Sequence, residues 1–316
     1  MGRRAEEPQD VGERLSHVAG TSGQNVSLFV AFGGAQTDNE PMLSFDRPHA
    51  AEAALAQPLT ERLLADAGIT PGMRVLVLGR GISDLALLVA ERVGRHGCVI
   101  AAHEDRRVVA QARRRAAEEG FDRVSFRAQP LDQIAYEAPL DAMIGRFFLA
   151  HANDPVEALR VAAGAVHDGG RIVLHEWHYE SMLWADTSDW PRVPLYRDFA
   201  RWAVEGLRRS RVQVDMGLRL ANVFAAAGLC VPALQTDLRT VHGSDALGYG
   251  FFEATLRELF AVIETCGVDA AHLDVDTFAR RLERATIAAG GHVFLPLQVG
   301  AWTRAKSAKV VGARQL

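Results

Sequence analysis

Between Arg74 and His175, short apolar runs alternate with segments whose apolar positions recur at helical spacing. The runs at 75–78, 98–102, 124–127, 142–148 and 171–175 are too short for buried helices and read as strands. Helical patterns fall between them at 83–93, 106–119 and 155–166. Strand and helix alternating at this spacing predict a parallel sheet with right-handed crossovers, which is an α/β fold. Ligand chemistry is then expected at the carboxyl ends of the strands, near the first and the fourth.

The flanks are less regular. Residues 1–20 are polar and without period, and 26–32 form an apolar run closed by Gly33-Gly34 that suits a short strand, a helical turn or a lid. Residues 49–67 are helical, with Ala54, Leu55, Leu59, Leu63 and Leu64 on one stripe, and Pro58 predicts a kink or two shorter helices. Gly68 ends that helix, and Pro71-Gly72 turns into the first strand. Beyond Tyr179 helices are predicted over 195–209, 218–227, 246–265 and 277–289. Two late apolar runs, 231–238 and 293–302, read as an antiparallel pair closing the sheet edge. The expected division is 1–50 as an N-terminal extension or lid, 51–180 as the core, and 181–316 as a helical cap with closing strands.

Composition excludes several function classes. A net charge of −4 disfavours nucleic acid or an anionic membrane as main partner. Arg113-Arg114-Arg115 and Arg208-Arg209-Ser210-Arg211 sit in helical patterns and read as solvated faces. Cys98, Cys230 and Cys266 are odd in number and far apart, which gives neither a disulfide framework nor a zinc spacing. With no signal segment and no apolar run near the ~20 residues of a membrane span, a cytoplasmic protein is expected.

Chemistry concentrates in two places. Leu78-Gly79-Arg80-Gly81 joins the first strand to a helix, where free N–H groups and the helix dipole favour an anion, and Arg80 adds a guanidinium for sulfate, phosphate or carboxylate. The other reading of Arg80 is a side chain that points outward or pairs with Asp84 or Asp105. The second cluster is His175-Glu176-Trp177-His178-Tyr179-Glu180, at the end of the fifth strand. Alternation puts His175, Trp177 and Tyr179 on one side and Glu176, His178 and Glu180 on the other. Glu176, His178 and His175 are the candidate catalytic bases, with hydrogen bonding beneath a cap as the other reading. Gly79, Gly81, Arg146, His151, Trp177 and Tyr179 join Arg80 as candidate substrate- or anion-binding residues. Trp184 and Trp190, with Met182, suit a pocket wall or core packing, and Asp46 and Arg47 a lid or a surface. No further His or Glu stands at a metal-ligand spacing, so no metal site is expected.

Three motifs in order carry a resemblance. Pro71-Gly72-Met73-Arg74-Val75-Leu76, Leu140-Asp141-Ala142-Met143-Ile144-Gly145-Arg146-Phe147 and Asp168-Gly169-Gly170-Arg171-Ile172-Val173 look like the approaches to the first, fourth and fifth strands of class I S-adenosylmethionine-dependent methyltransferases. The subgroup is similar to ubiquinone/menaquinone C-methyltransferases, and the resemblance covers roughly residues 50–180. It implies a Rossmann-like, mostly parallel seven-stranded sheet with a cap. Where that family has an acid in the first strand and a third glycine in the turn, this chain has Val77 and Ser83, with Arg80 at a normally small position. The carboxylate that accepts both ribose hydroxyls is replaced by His103, and the acid near the adenine by Pro130. If S-adenosylmethionine is used, Gly79, Gly81, His103, Glu104 and Asp132 are the positions that would hold it. The degraded motifs are similar to those of methyltransferase-like proteins of azinomycin-type antibiotic biosynthesis. That likeness implies aziridine closure on a sulfated, amino-acid-derived small molecule without the cofactor, beside a sulfotransferase-like partner. A genuine small-molecule methyltransferase and a non-catalytic partner subunit are the alternatives.

Overall fold

The computed structural model describes residues 48–134, 138–186, 192–265 and 274–305. The expected N-terminal extension or lid at 1–50 lies outside them up to residue 47, with Asp46 and Arg47, and so does Trp190.

Five strands run parallel: β1 (Arg74–Gly79), β2 (Cys98–Ala102), β3 (Val124–Arg127), β4 (Leu140–Arg146) and β5 (Val166–His178). Two more close the edge: β9 (Leu297–Arg304) is antiparallel to β5, and β6 (Ala233–Asp237) is antiparallel to β9. The seven-stranded order is β3-β2-β1-β4-β5-β9-β6. A separate two-stranded ribbon pairs β7 (Thr240–Val241) with β8 (Val293–Phe294). The expected parallel sheet and its antiparallel edge are therefore both present. Strand order reverses between β1 and β4, so their carboxyl ends bound the crevice where α/β sheets place ligands.

Helices α2 (Ile82–Val93), α3 (Arg106–Glu118) and α4 (Pro155–Gly164) make the crossovers. Asp105 caps α3 through the Arg107 N–H at 2.7 Å, and Asp154 caps α4 through Val156 and Glu157, each at 3.0 Å, with Pro155 leading that helix. In β1, Val75 and Val77 face one core with α2 and α3, and Leu76 and Leu78 face the other, as the pleat requires. The sequence also predicts α5 (Pro194–Arg209), α6 (Met216–Ala226), α7 (Ala246–Thr265) and α8 (Phe278–Ala288) within two residues.

Helix α1 (Pro48–Asp66) runs unbroken through Pro58, against the expectation of two shorter helices. Its stripe of Leu55, Leu59 and Leu63 is fully buried, and Leu63 fills the space that a side chain on Gly300 of β9 would need. That burial outweighs the one hydrogen bond Pro58 removes. Helix α1 packs on α7 as well as on β9 and β5, which brings α1, α7 and the β1 turn together above the crevice.

Candidate active site

The glycine turn is held by backbone geometry. Gly79 has φ 110°, and a Cβ there would lie 2.0 Å from the Arg146 carbonyl oxygen, so β1 and β4 approach closely only because no side chain is present. The Arg80 N–H donates to that same carbonyl at 3.0 Å. Gly81, at φ 63°, starts α2 with no side-chain cap.

The Arg80 side chain turns inward and is 14% exposed. Its Nη2 donates to Glu258 of α7 at 2.5 Å, and its Nε lies 3.3 Å from Glu52 of α1. Burial opposes the charge, but the two carboxylates more than offset it and hold the pKa above the usual arginine range. The expected partners Asp84 and Asp105 are engaged elsewhere, by Arg115 and Arg107. Glu52 also accepts from the Trp177 indole N–H at 3.0 Å, so one buried carboxylate joins α1, the β1 turn and the end of β5.

Glu52, Arg80, Tyr179, Phe251, Thr255 and Glu258 line a small cleft. Trp177 backs it, stacked on Phe147 at 5.2 Å and 13° and tilted against Phe251 at 5.6 Å. Phe147 follows β4 with φ 52°, a left-handed conformation costly for an aromatic residue. Burial and the nearby Glu52 push the Tyr179 phenol well above its ordinary pKa. Among the described residues the cleft lining sets the carboxylates of Glu52 and Glu258 against the Arg80 guanidinium, and the Glu52 charge also reaches Arg146.

The predicted bases are not gathered here. Glu176 lies on the opposite face of β5, fully buried, and accepts from the backbone N–H groups of Phe148, Leu149 and Ala150 at 2.9, 2.7 and 3.4 Å. Its carboxyl organises the turn after β4 instead of facing the cleft, and burial pushes its pKa up to about 8 against those three donors. His178 is buried beneath α6, where Gly217 leaves room for it, with its ring 6.3 Å from Trp184. His175 faces α1, its Nδ1 3.0 Å from the Thr60 hydroxyl, and burial together with the Arg146 charge pulls its pKa down to about 3. It stays neutral and structural at physiological pH. His151 ends the 3-10 turn Leu149–His151 and is not part of the cleft lining. Tyr179 lines the cleft with Arg80, and Trp177 joins them through Glu52, on the side of β5 that also carries His175, as the alternation predicts.

The positions expected to hold S-adenosylmethionine fit it poorly. The His103 Nδ1 accepts the Asp105 N–H at 3.0 Å, and burial lowers its pKa, so the neutral ring offers only an Nε2–H donor where a ribose diol needs acceptors. Asp105 is spent on capping α3, Glu104 is half-buried, and Asp132 is exposed on a 3-10 turn. Arg80, at a position the resemblance expects to be small, is tied to α1 and α7 above the glycine turn. Among the described residues no group of three or more His, Cys, Asp or Glu is placed to hold a metal ion, and no helix is long and apolar enough to cross a membrane.

Sequence reading missed Glu52 and Glu258. Glu52 had a signal: it falls on the apolar stripe of α1, three residues before Leu55, where a lone carboxylate requires a partner. Glu258 stands off the Phe252, Leu256, Leu259 stripe of α7 and carries no such signal.

Residues 69–217 match the methyltransferase domain family. The chain is similar to the aklanonic acid methyltransferase DauC of Streptomyces sp. (strain C5), with 29% identity over 37% of this chain and 54% of that protein. It is also similar to the ubiquinone/menaquinone biosynthesis C-methyltransferase UbiE of Xanthomonas axonopodis pv. citri (strain 306), with 30% identity over 42% of this chain and 51% of that protein. The chain thus spans about half the length of these curated relatives. Among solved structures, BH2331 from Bacillus halodurans C-125 shares the fold with a TM-score of 0.51 at 13% identity, covering 78% of this chain and 98% of that one.

Proposed function

We propose that this chain, whose residues 69–217 match the methyltransferase domain family, is an enzyme that acts on a small molecule without using S-adenosylmethionine as methyl donor. The observation that carries this reading is the Arg80 guanidinium, pinned between Glu52 and Glu258 over the glycine turn. The names of both relatives point to small-molecule substrates.

The reaction this site suits is ring closure by an amine. A cleft carboxylate binds the substrate ammonium and takes one proton from it, with Glu258, which is 24% exposed, better placed than the more buried Glu52. The freed lone pair attacks a carbon bearing a sulfate or similar group. A carbon–nitrogen bond forms, the carbon–oxygen bond breaks, and its electron pair leaves with the anion. The aromatic wall of Trp177, Phe147 and Phe251 holds the short chain folded and excludes water. Closure of a three-membered ring in this way yields an aziridinium, which releases its extra proton to solvent to give the aziridine, a step of specialised metabolism. The leaving group must first be installed on a hydroxyl, and a sulfotransferase-type partner acting upstream would supply it as a sulfate.

A second reading is favoured by the family match itself: methyl transfer from S-adenosylmethionine to a small molecule. Calorimetric titration with S-adenosylmethionine separates the two. We expect no saturable heat up to millimolar cofactor; saturable binding in the micromolar range overturns the first reading and supports the second.

A further inference from the structure

Arg146 ends β4 at the switch point and is 2% exposed. Its Nε has no hydrogen-bond partner, and its Nη2 reaches only the Gly81 carbonyl, at a long 3.4 Å. No carboxylate among the described residues lies within ion-pair distance; Asp84 and Glu52 act on it from further away. The guanidinium carbon sits 5.9 Å from the centroid of the Phe147 ring. A buried cation with an unused donor and no counter-ion is costly, and a ligand that supplies the missing charge removes the cost.

The neighbouring element supplies the rest of a receptor. Helix α2 is 12 residues long and opens at Gly81 with no side-chain cap, so its first N–H groups and its dipole favour a negative charge. A Cβ on Gly81 would lie 3.4 Å from the Arg146 Nη2, which places the guanidinium against the first turn of that helix. We infer that Arg146 and the first turn of α2 form a buried receptor for one oxyanion of a small-molecule ligand, a sulfate, phosphate or carboxylate. The planar fork of arginine binds two oxygens of such a group. The receptor adjoins the cleft through Glu52, whose field reaches Arg146 and whose carboxylate meets Arg80. A ligand with an ammonium in the cleft and an oxyanion on Arg146 answers both charges, and the pair of subsites selects a zwitterion.

As a statement about the anionic end of the substrate, this rests on the ring-closing reading. As a binding property it is tested without any reaction. Thermal unfolding of the full chain is followed with rising inorganic sulfate or phosphate at constant ionic strength, chloride being the balancing salt. Both oxyanions are expected to raise the midpoint saturably, and Arg146→Gln to abolish that rise. If Arg146→Gln does not fold by circular dichroism, Arg146→Lys, which keeps the charge without the fork, is expected to weaken sulfate at least tenfold. A flat response of the natural chain, or an equal rise in the variants, overturns the inference. A parallel arm uses 2-aminoethyl hydrogen sulfate, which carries both charges. Binding at least tenfold tighter than free sulfate assigns the receptor to a substrate-borne group, and equal binding assigns it to a free anion and overturns the zwitterion. Failure of the ring-closing reading alone leaves the sulfate effect intact.

Discussion

Glu52 is the residue on which the site turns. It meets Arg80 at 3.3 Å and the Trp177 indole at 3.0 Å while only 8% exposed, so its charge is balanced by a guanidinium that Glu258 shares. Glu52→Gln keeps the size and the Trp177 bond but removes one of the two carboxylates that meet Arg80 among the described residues. Removing one member of a buried pair typically costs about 3–5 kcal/mol, and the surviving Glu258 contact puts the expected loss near the lower bound. Urea unfolding should show this as a lower midpoint with an unchanged slope, and binding of a primary amine should weaken about tenfold or more. An unaltered midpoint together with unaltered amine binding would show that the Glu52 carboxylate does neither job. Gly79 and Phe147 show the same local logic in the backbone, since both adopt positive φ where β1 and β4 converge.

At the scale of elements, α1 does two tasks with different residues. Its Leu55, Leu59 and Leu63 stripe seats it on the sheet, and Glu52 and Thr60 on the same side reach Arg80 and His175. Pro58 is exposed and lies inside the helix, where it withholds one backbone donor. Pro58→Ala restores that donor and a better helix former, so stability should rise by about 1–3 kcal/mol with the site unaltered. Calorimetric unfolding measures it, and an unchanged or lower melting midpoint would mean that the helix end depends on proline at this position. Strand β5 shows the complementary division. Its odd residues face α1 and the cleft, and its even residues support the turn after β4 and the floor beneath α6.

For the whole molecule, two buried groups on opposite faces of β5 set how stability varies with pH. His175 has its pKa lowered from 6.5 to about 3 by burial and the Arg146 charge, so the unfolded chain binds its proton first. Stability from this group is complete above 6.5 and is lost as pH falls through 3. Glu176 has its pKa raised by burial from 4.5 to about 8, so the folded chain holds the proton longer. Its contribution is complete below 4.5 and is lost as pH rises through 8. The slopes, each near 1.4 kcal/mol per pH unit at most, oppose each other between 4.5 and 6.5. The melting midpoint should therefore plateau there and decline on both sides. Glu176→Gln should remove the decline between 6.5 and 8 and keep the acid limb; a decline that persists in the variant would place Glu176 ionised throughout.

The sequence by itself determined the fold, because strand and helix signals are local. Apolar runs in 74–175, the two-residue period of 175–179 and caps such as Asp105 and Asp154 are each readable within a few residues of chain. The resemblance to class I methyltransferases further implies that His103, Arg80 and Ser83 depart from the residues that family uses around its cofactor. The composition of the cleft was decided only by tertiary structure. Arg80 and Glu258 are 178 residues apart, and no period connects a glycine turn with a helix in the cap. The sequence placed the chemistry at Glu176 and His178 because a run of polar residues at the end of a strand looks like a site. Packing alone revealed that backbone N–H groups after β4 claim one of these side chains and α6 covers the other.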